Sequence, residues 1–241
     1  MTSFVLIHGA WHGGWCWDQV APLLIKNGHR VWAPDLPGMG SDKTPLAELT
    51  LAGWAAFVTE LVTSIGEPVV LVGHSRGGVV ISEVAERAPE AISRLVYLAA
   101  FLVPRGKSMR EMLALSEPRE VAVGAIVMGA DGISSTIAPG KAGPVFFNTT
   151  SVALQARAEA LLTPEPMMSF MTPLHLTPER YGRVNRAYVE CLQDNAVPIE
   201  LQRLMQKTLP CAPVVTLDTD HSPFFSAPEL LARVLEQIAA S

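Results

Sequence analysis

Six short segments rich in apolar residues recur along the chain: Phe4–Ile7, His29–Ala33, Val69–Val72, Ile92–Ala99, Ala187–Leu192 and Ala212–Leu217, of which the first and third are apolar throughout. Runs of this length without polar alternation read as strands buried on both faces. Between most of them lie stretches with helical spacing. Leu49–Ile65 places Leu51, Trp54, Ala55, Val58, Leu61, Val62 and Ile65 on one face, as an amphipathic helix requires. Trp15–Leu24 predicts a helix ending at Asn27-Gly28, Val79–Arg87 one closed by Pro89, Ile199–Lys207 another, and a last one begins at Pro228. Strand alternating with helix predicts the α/β class: a doubly wound, mostly parallel sheet of about six strands, with ligands at the strands' carboxyl ends.

The rhythm stops from Val103 to about Arg183. Pro104, Pro118, Pro139, Pro144, Pro164, Pro166, Pro173 and Pro178 interrupt it, leaving helical pieces such as Lys107–Leu115 and Ser151–Leu162. The expected organisation is a single domain over 1–241, with 104–183 an inserted helical cap and 1–103 plus 184–241 the core. Met112, Met128, Phe146, Phe147, Met167, Met168, Phe170 and Met171 in the cap either line an apolar acyl or alkyl pocket or pack the cap onto the sheet.

Composition narrows the class. A chain of 241 residues, 49% hydrophobic and 17% charged, has the material for a sizeable core. The net charge of −5 comes without any basic cluster, so nucleic acid is not an expected partner. Cys16, Cys191 and Cys211 are odd in number and lack metal-type spacing, which reads as free thiols in a reducing, cytoplasmic setting. The start runs almost at once into Ser3–Ile7 without a basic region, so no secretory leader is expected, and no 18-residue apolar run occurs, so no membrane span is expected.

The chemistry centres on Gly73-His74-Ser75-Arg76-Gly77, a G-x-S-x-G pattern between a buried strand and a helix. That context is a nucleophile elbow: a strained turn lifts Ser75 out of the sheet, and glycines on either side let strand and helix approach. The Arg76 N–H, at the helix start, faces a developing oxyanion. The first strand runs into His8-Gly9-Ala10-Trp11-His12-Gly13-Gly14, a loop type that supplies a second oxyanion donor. His8 and His12 read as residues that brace this loop. Asp194 follows the fifth run and His221 the sixth. The order Ser75, Asp194, His221 suits a triad in which imidazole activates the hydroxyl and a carboxylate orients the imidazole. Asp218 and Asp220 compete as the acid; the first ends a strand at a turn and the second, adjacent to His221, should point away from its ring. Asp35 precedes the serine and reads as a turn residue.

With FVLIHGAWHGGWCW, GHSRGG, ECLQDNAVP and DHSPF, the chain resembles the α/β-hydrolase superfamily. Within it, the chain resembles the plant methylesterase and hydroxynitrile lyase group and its bacterial carboxylesterase, pyrethroid-hydrolase-like relatives. The resemblance implies a six-stranded core with a mostly helical cap. It implies Ser75, Asp194 and His221 as the triad and the backbone N–H groups of Ala10 and Arg76 as the oxyanion hole. Lyases of this group carry threonine where Gly9 stands and lysine where Ser222 stands, so esterase chemistry is favoured. Arg76 departs from the smaller or apolar residue common after the nucleophile. Its guanidinium either folds outward into a structural salt bridge, the favoured reading, or selects an acidic substrate group. The expected function is a serine carboxylesterase acting on a hydrophobic small-molecule ester through an acyl-enzyme, without cofactor or metal. The alternatives are a hydroxynitrile lyase, lactonase or amidase, or a non-catalytic ligand receptor on the same fold. Homodimerisation is left open.

Overall fold

A computed structural model describes residues 1–241. Its strands are β1 (Ser3–Ile7), β2 (Arg30–Trp32), β3 (Val69–His74), β4 (Ile92–Leu98), β5 (Ile126–Met128), β6 (Ser134–Ile137), β7 (Glu165–Pro166), β8 (Arg186–Cys191) and β9 (Val214–Leu217). Its α-helices are α1 (Val20–Lys26), α2 (Leu51–Ser64), α3 (Gly77–Arg87), α4 (Met109–Leu113), α5 (Ala142–Phe146), α6 (Val152–Leu161), α7 (Met168–Met171), α8 (Ile199–Thr208), α9 (Pro223–Ser226) and α10 (Pro228–Ala239).

The six apolar runs form one sheet in the order β2-β1-β3-β4-β8-β9. Every pairing is parallel. Strands β1 and β3 are buried along their whole length, whereas the edge strands β2 and β9 are partly exposed. This is the burial gradient that continuous Val/Leu/Ile runs at the centre of a parallel sheet require. The order reverses between β1 and β3, because the chain winds to one side through β2 and then to the other. A crevice opens outside the carboxyl ends of strands at such a switch point. The loops after β1, β3, β8 and β9 all leave from that edge.

Helix α2 buries Leu51, Trp54, Ala55, Val58 and Val62, and the Thr50 hydroxyl caps it by accepting from the Gly53 N–H. The helix expected over Trp15–Leu24 is broken instead into a 3₁₀ turn at Gly14–Trp17 and α1. Pro22 explains the break: it has no N–H for the Asp18 carbonyl, so it is tolerated only in a first helical turn.

Between β4 and β8 the chain carries α4 to α7 and also a three-stranded antiparallel sheet, β5-β6-β7. The inserted region is therefore not purely helical. The β5–β6 connection is a glycine turn whose Asp131 carboxylate accepts from the N–H groups of Ile133 and Ser134 and from the Ser134 hydroxyl. A single apolar cluster joins this region to the sheet, with Phe146, Phe147, Phe170 and Leu174 packed with residues of β3 and β4 in one core. No helix is long and apolar enough to cross a membrane.

Candidate active site

Ser75 lies one residue past β3 with φ of +52°, a left-handed conformation that costs a non-glycine residue about 1–3 kcal/mol. The neighbouring backbone enforces it. The Ser75 N–H donates to the Leu98 carbonyl (3.1 Å), and the Ser75 carbonyl accepts from Gly78 and Phe101, each at 3.0 Å. A Cβ at Gly73 would stand 2.7 Å from the Gly77 carbonyl oxygen, and one at Gly77 would stand 2.8 Å from that of Ile7. Side chains at either position would push α3 off the sheet.

Asp194 and His221 come together at the same edge. His221 Nδ1–H donates to Asp194 Oδ2 at 2.7 Å, and both side chains are buried. Asp194 Oδ1 accepts from the N–H groups of Ala196 and Val197, both at 2.8 Å, and Oδ2 also accepts from Gln202 Nε2 at 3.1 Å. The competing acids are occupied elsewhere. Asp220 accepts from Thr149 N–H, the Thr150 hydroxyl, Ser222 N–H and the Ser226 hydroxyl. Asp218 accepts from the Gln193 side chain at the surface. No hydrogen bond joins the Ser75 hydroxyl to His221. Such contacts are commonly long in unliganded sites and tighten with substrate. His221 packs against the residue before Ser75: His74 sets its ring 4.5 Å from that of His221 and donates Nε2–H to the His221 carbonyl at 2.8 Å.

The loop after β1 is braced by two buried histidines. His8 Nδ1–H donates to the Gly9 carbonyl (2.9 Å) while its Nε2 accepts from Leu36 N–H (3.1 Å). His12 Nδ1–H donates to the Ala10 carbonyl at 2.7 Å. Burial, reinforced for His8 by the Arg76 charge, lowers their pKa values to about 3 and about 4. Both rings are therefore neutral at neutral pH. Burial also pushes His74 well down. The N–H groups of Ala10 and Arg76 donate to no acceptor in the protein. Both residues line the pocket described next.

The Arg76 side chain does form a salt bridge, but inward rather than outward. It is fully buried, with Nε 3.0 Å from Glu165 Oε1 and Nη2 3.0 Å from the Gly9 carbonyl. Its guanidinium carbon lies 4.3 Å from the centre of the Trp54 ring. Burial presses the Glu165 carboxyl up and the Arg76 guanidinium down, and each opposes the shift in the other. Inward folding follows from the partner's place: Glu165, on β7, is itself fully buried above the β1 loop.

A pocket opens onto Ser75. Fourteen of its sixteen lining residues are apolar, the exceptions being Ser75 and Arg76. Of the cap residues expected to line it, Phe146 and Phe170 do. Met112 and Phe147 are buried outside it, and Met128 and Met171 face solvent. Met109, Ile126, Ile137 and Val145 supply the wall instead.

Residues 4–234 match the model of the alpha/beta hydrolase family. The chain belongs to the α/β-hydrolase family. It is 34% identical to methylesterase 1 of Arabidopsis thaliana over 98% of this chain and 95% of that protein. It is 31% identical to a pyrethroid hydrolase of Sphingobium wenxiniae over 99% and 88%. It is also 34% identical to putative methylesterase 11, chloroplastic, of A. thaliana over 99% of this chain, and there it spans 64% of the relative's length. Among solved structures, polyneuridine aldehyde esterase superposes with a TM-score of 0.89 at 29% identity, covering 99% of both chains. A pyrethroid hydrolase from Sphingobium faniae superposes with a TM-score of 0.88 at 31% identity, covering 100% and 98%.

Two residues of this α/β hydrolase's site had no sequence signal. Glu165 sits in a proline-flanked dipeptide strand of the cap, 89 residues from the arginine it pairs with, and nothing local marks it. Gln202, which donates to Asp194, shares helix α8 with other polar residues. Only its burial sets it apart.

Proposed function

We propose that this carboxylic ester hydrolase uses Ser75 as nucleophile, His221 as general base and then general acid, and Asp194 as the carboxylate that holds the imidazole. The Ser75 hydroxyl gives its proton to His221 Nε2 as its oxygen attacks the ester carbonyl. Asp194, accepting from Nδ1–H, stabilises the imidazolium. The N–H groups of Ala10 and Arg76 receive the charge that develops on the carbonyl oxygen. His221 then protonates the departing alcohol, leaving an acyl-Ser75; a water deprotonated by the same imidazole attacks the acyl carbon, the bond to Ser75 Oγ breaks, and the proton returns to Ser75 as the acid leaves.

One observation carries the reading: a pocket walled almost entirely by apolar side chains ends at an elbow serine, beside a buried aspartate–histidine pair. A pocket without a free cation or anion favours a neutral, hydrophobic ester. The names of the methylesterase and pyrethroid hydrolase relatives support ester chemistry. The three free thiols, two of them buried, support a reducing cytoplasmic setting. The test is Ser75→Ala on p-nitrophenyl esters, together with fluorophosphonate labelling. Turnover should fall on the order of 10⁴-fold with the thermal midpoint retained, and the label should map to Ser75. A label on another serine, or wild-type rates in the variant, refutes the assignment.

A further inference from the structure

Two peptide units after β1 are clamped from three directions. The Gly9 carbonyl accepts from His8 Nδ1–H and from Arg76 Nη2–H. The N–H of the same peptide is that of Ala10, which has no acceptor in the protein. In the next peptide, the Ala10 carbonyl accepts from His12, and the Trp11 N–H donates to Glu165 Oε2 at 3.1 Å. Trp11 is in the left-handed region, with φ of +60°. The Trp11 carbonyl accepts from Thr163 N–H at 2.9 Å. Cap residues 163 and 165 therefore grip a strained residue from both sides, and Glu165 also holds the guanidinium that grips Gly9.

We propose that the buried Arg76–Glu165 pair is a positioning device for the oxyanion hole, aiming and polarising the Gly9–Ala10 peptide from the cap. The proposal rests on the esterase reading of Ser75, Ala10 and Arg76. A charged donor on a carbonyl draws electron density from the amide, so the N–H of that peptide becomes a stronger donor. Arg76 would then serve the hole twice, through its own N–H and through the carbonyl it holds. Glu165 holds the guanidinium with both carboxylate oxygens, Oε1 accepting from Nε at 3.0 Å and Oε2 from Nη2 at 3.4 Å, and with Oε2 it also fixes Trp11, the residue after the donor. Stability alone is a weak reason for such a pair. Replacing a buried ion pair with apolar side chains of similar volume is often neutral or stabilising.

The test compares Arg76→Met/Glu165→Leu, which removes both charges at near-constant volume, with Arg76→Lys and Glu165→Gln. Readouts are kcat and KM on p-nitrophenyl esters, the thermal midpoint, and Ki for an alkyl trifluoromethyl ketone, which forms an oxyanionic hemiketal with a serine nucleophile. In the double variant kcat should fall about 10- to 100-fold, short of the ~10²–10³ that follows outright loss of a donor. KM should stay within about twofold, and Ki should rise by the same factor as kcat falls. Arg76→Lys, which keeps the charge but loses the fork, should lie between; it and Glu165→Gln carry the test if the double variant does not fold. Wild-type kcat and Ki in the folded variants, with Ser75→Ala inactive, overturn the positioning role and leave the triad standing. A fall in kcat with unchanged Ki also overturns it, because the loss then lies outside the oxyanion hole. Wild-type turnover by Ser75→Ala overturns the reading of the site and the positioning role with it.

Discussion

Replacing Asp194 with asparagine removes a charge and leaves the shape. The surroundings dictate how the amide sits. Asp194 Oδ1 accepts from two backbone N–H groups at 2.8 Å, and these cannot turn away. The amide oxygen must take that side, which puts the NH₂ group where Oδ2 now accepts from His221 Nδ1–H and Gln202 Nε2. Gln202 is held in turn by Cys191 N–H and by the Val197 carbonyl, so it cannot flip without losing both. The imidazole adapts instead: Nδ1 becomes the acceptor and the proton moves to Nε2. A histidine in that tautomer cannot take a proton from Ser75. The expected loss is ~10⁴ in kcat, or about 5 kcal/mol of transition-state stabilisation at ~1.36 kcal/mol per factor of ten. The new donor–donor contact with Gln202 should cost about 1–3 kcal/mol of stability. KM should change little, since Asp194 does not line the pocket. Steady-state kinetics on p-nitrophenyl esters and a thermal melt separate the two effects. Asp218→Asn, at an exposed hydrogen bond, should leave both near wild type. Asp220→Asn disturbs a buried carboxylate with four donors and should lower the melting midpoint more than kcat. An Asp194→Asn enzyme within tenfold of wild-type kcat, or a folded Asp220→Asn enzyme that loses more, refutes the assignment.

Acid should destabilise the fold through its buried histidines. His8 and His12 titrate at about 3 and about 4 in the fold against 6.5 in the unfolded chain. The unfolded state therefore binds more protons as pH drops below ~6.5, and stability present above that pH is lost at ~1.4 kcal/mol per pH unit per histidine. Each contributes a loss of roughly 2 kcal/mol by pH 5; a denaturant midpoint unchanged between pH 7.5 and 5 contradicts this. Ile126 lines the pocket yet is 48% exposed, so Ile126→Asp should raise KM roughly tenfold for long apolar esters without altering the melt. Equal KM values for wild type and variant on the octanoate ester would place the acyl chain elsewhere. Mandelonitrile mixed with the wild type should release cyanide at the background rate, and saturable release reverses the assignment of reaction type.

Most of the fold was legible because the central strands, buried on both faces, leave apolar-rich runs, and the helices between them leave a 3.6-residue stripe. The carboxyl-end loops bearing Ser75, Asp194 and His221 could be found by following each run to its end. Three features escaped. Pro22 lies inside an otherwise helical pattern, and reading Trp15–Leu24 as one helix ignored its missing N–H. In the cap, Ile126-Val127-Met128 is followed by Gly129-Ala130-Asp131-Gly132 and a second short run, which is a hairpin signal. β5 is exposed along its whole length, so no buried face reinforces the pattern. Arg76 was expected to point outward because a lone arginine ordinarily does. What draws it in is a carboxylate supplied by a distant strand, and only the tertiary fold brings the two together.

That same dependence on tertiary packing bears on why the site is built for esters. Gly9 lacks the side-chain hydroxyl that lyases of this group place there, but the glycine is not merely an omission. A Cβ at that position would stand 2.8 Å from His74 Nδ1 and 2.9 Å from the Ser75 Cβ. His74 is fixed by its bond to the His221 carbonyl and by edge-on contact with Phe224 at 4.9 Å. It cannot retreat without moving His221, its hydrogen-bond partner. Nor is Ser222 free to become lysine: it is fully buried, and its N–H is tied to Asp220. A lysine's longer side chain and its charge would both have to be accommodated in that packed interior. The residue before the nucleophile thus excludes the lyase's hydroxyl donor as firmly as the glycine's own lack of a side chain does. In this chain positions 9, 74 and 222 together resist the lyase's substitutions. A threonine at residue 9 would have to relieve contacts with both His74 and the Ser75 Cβ before it could fit.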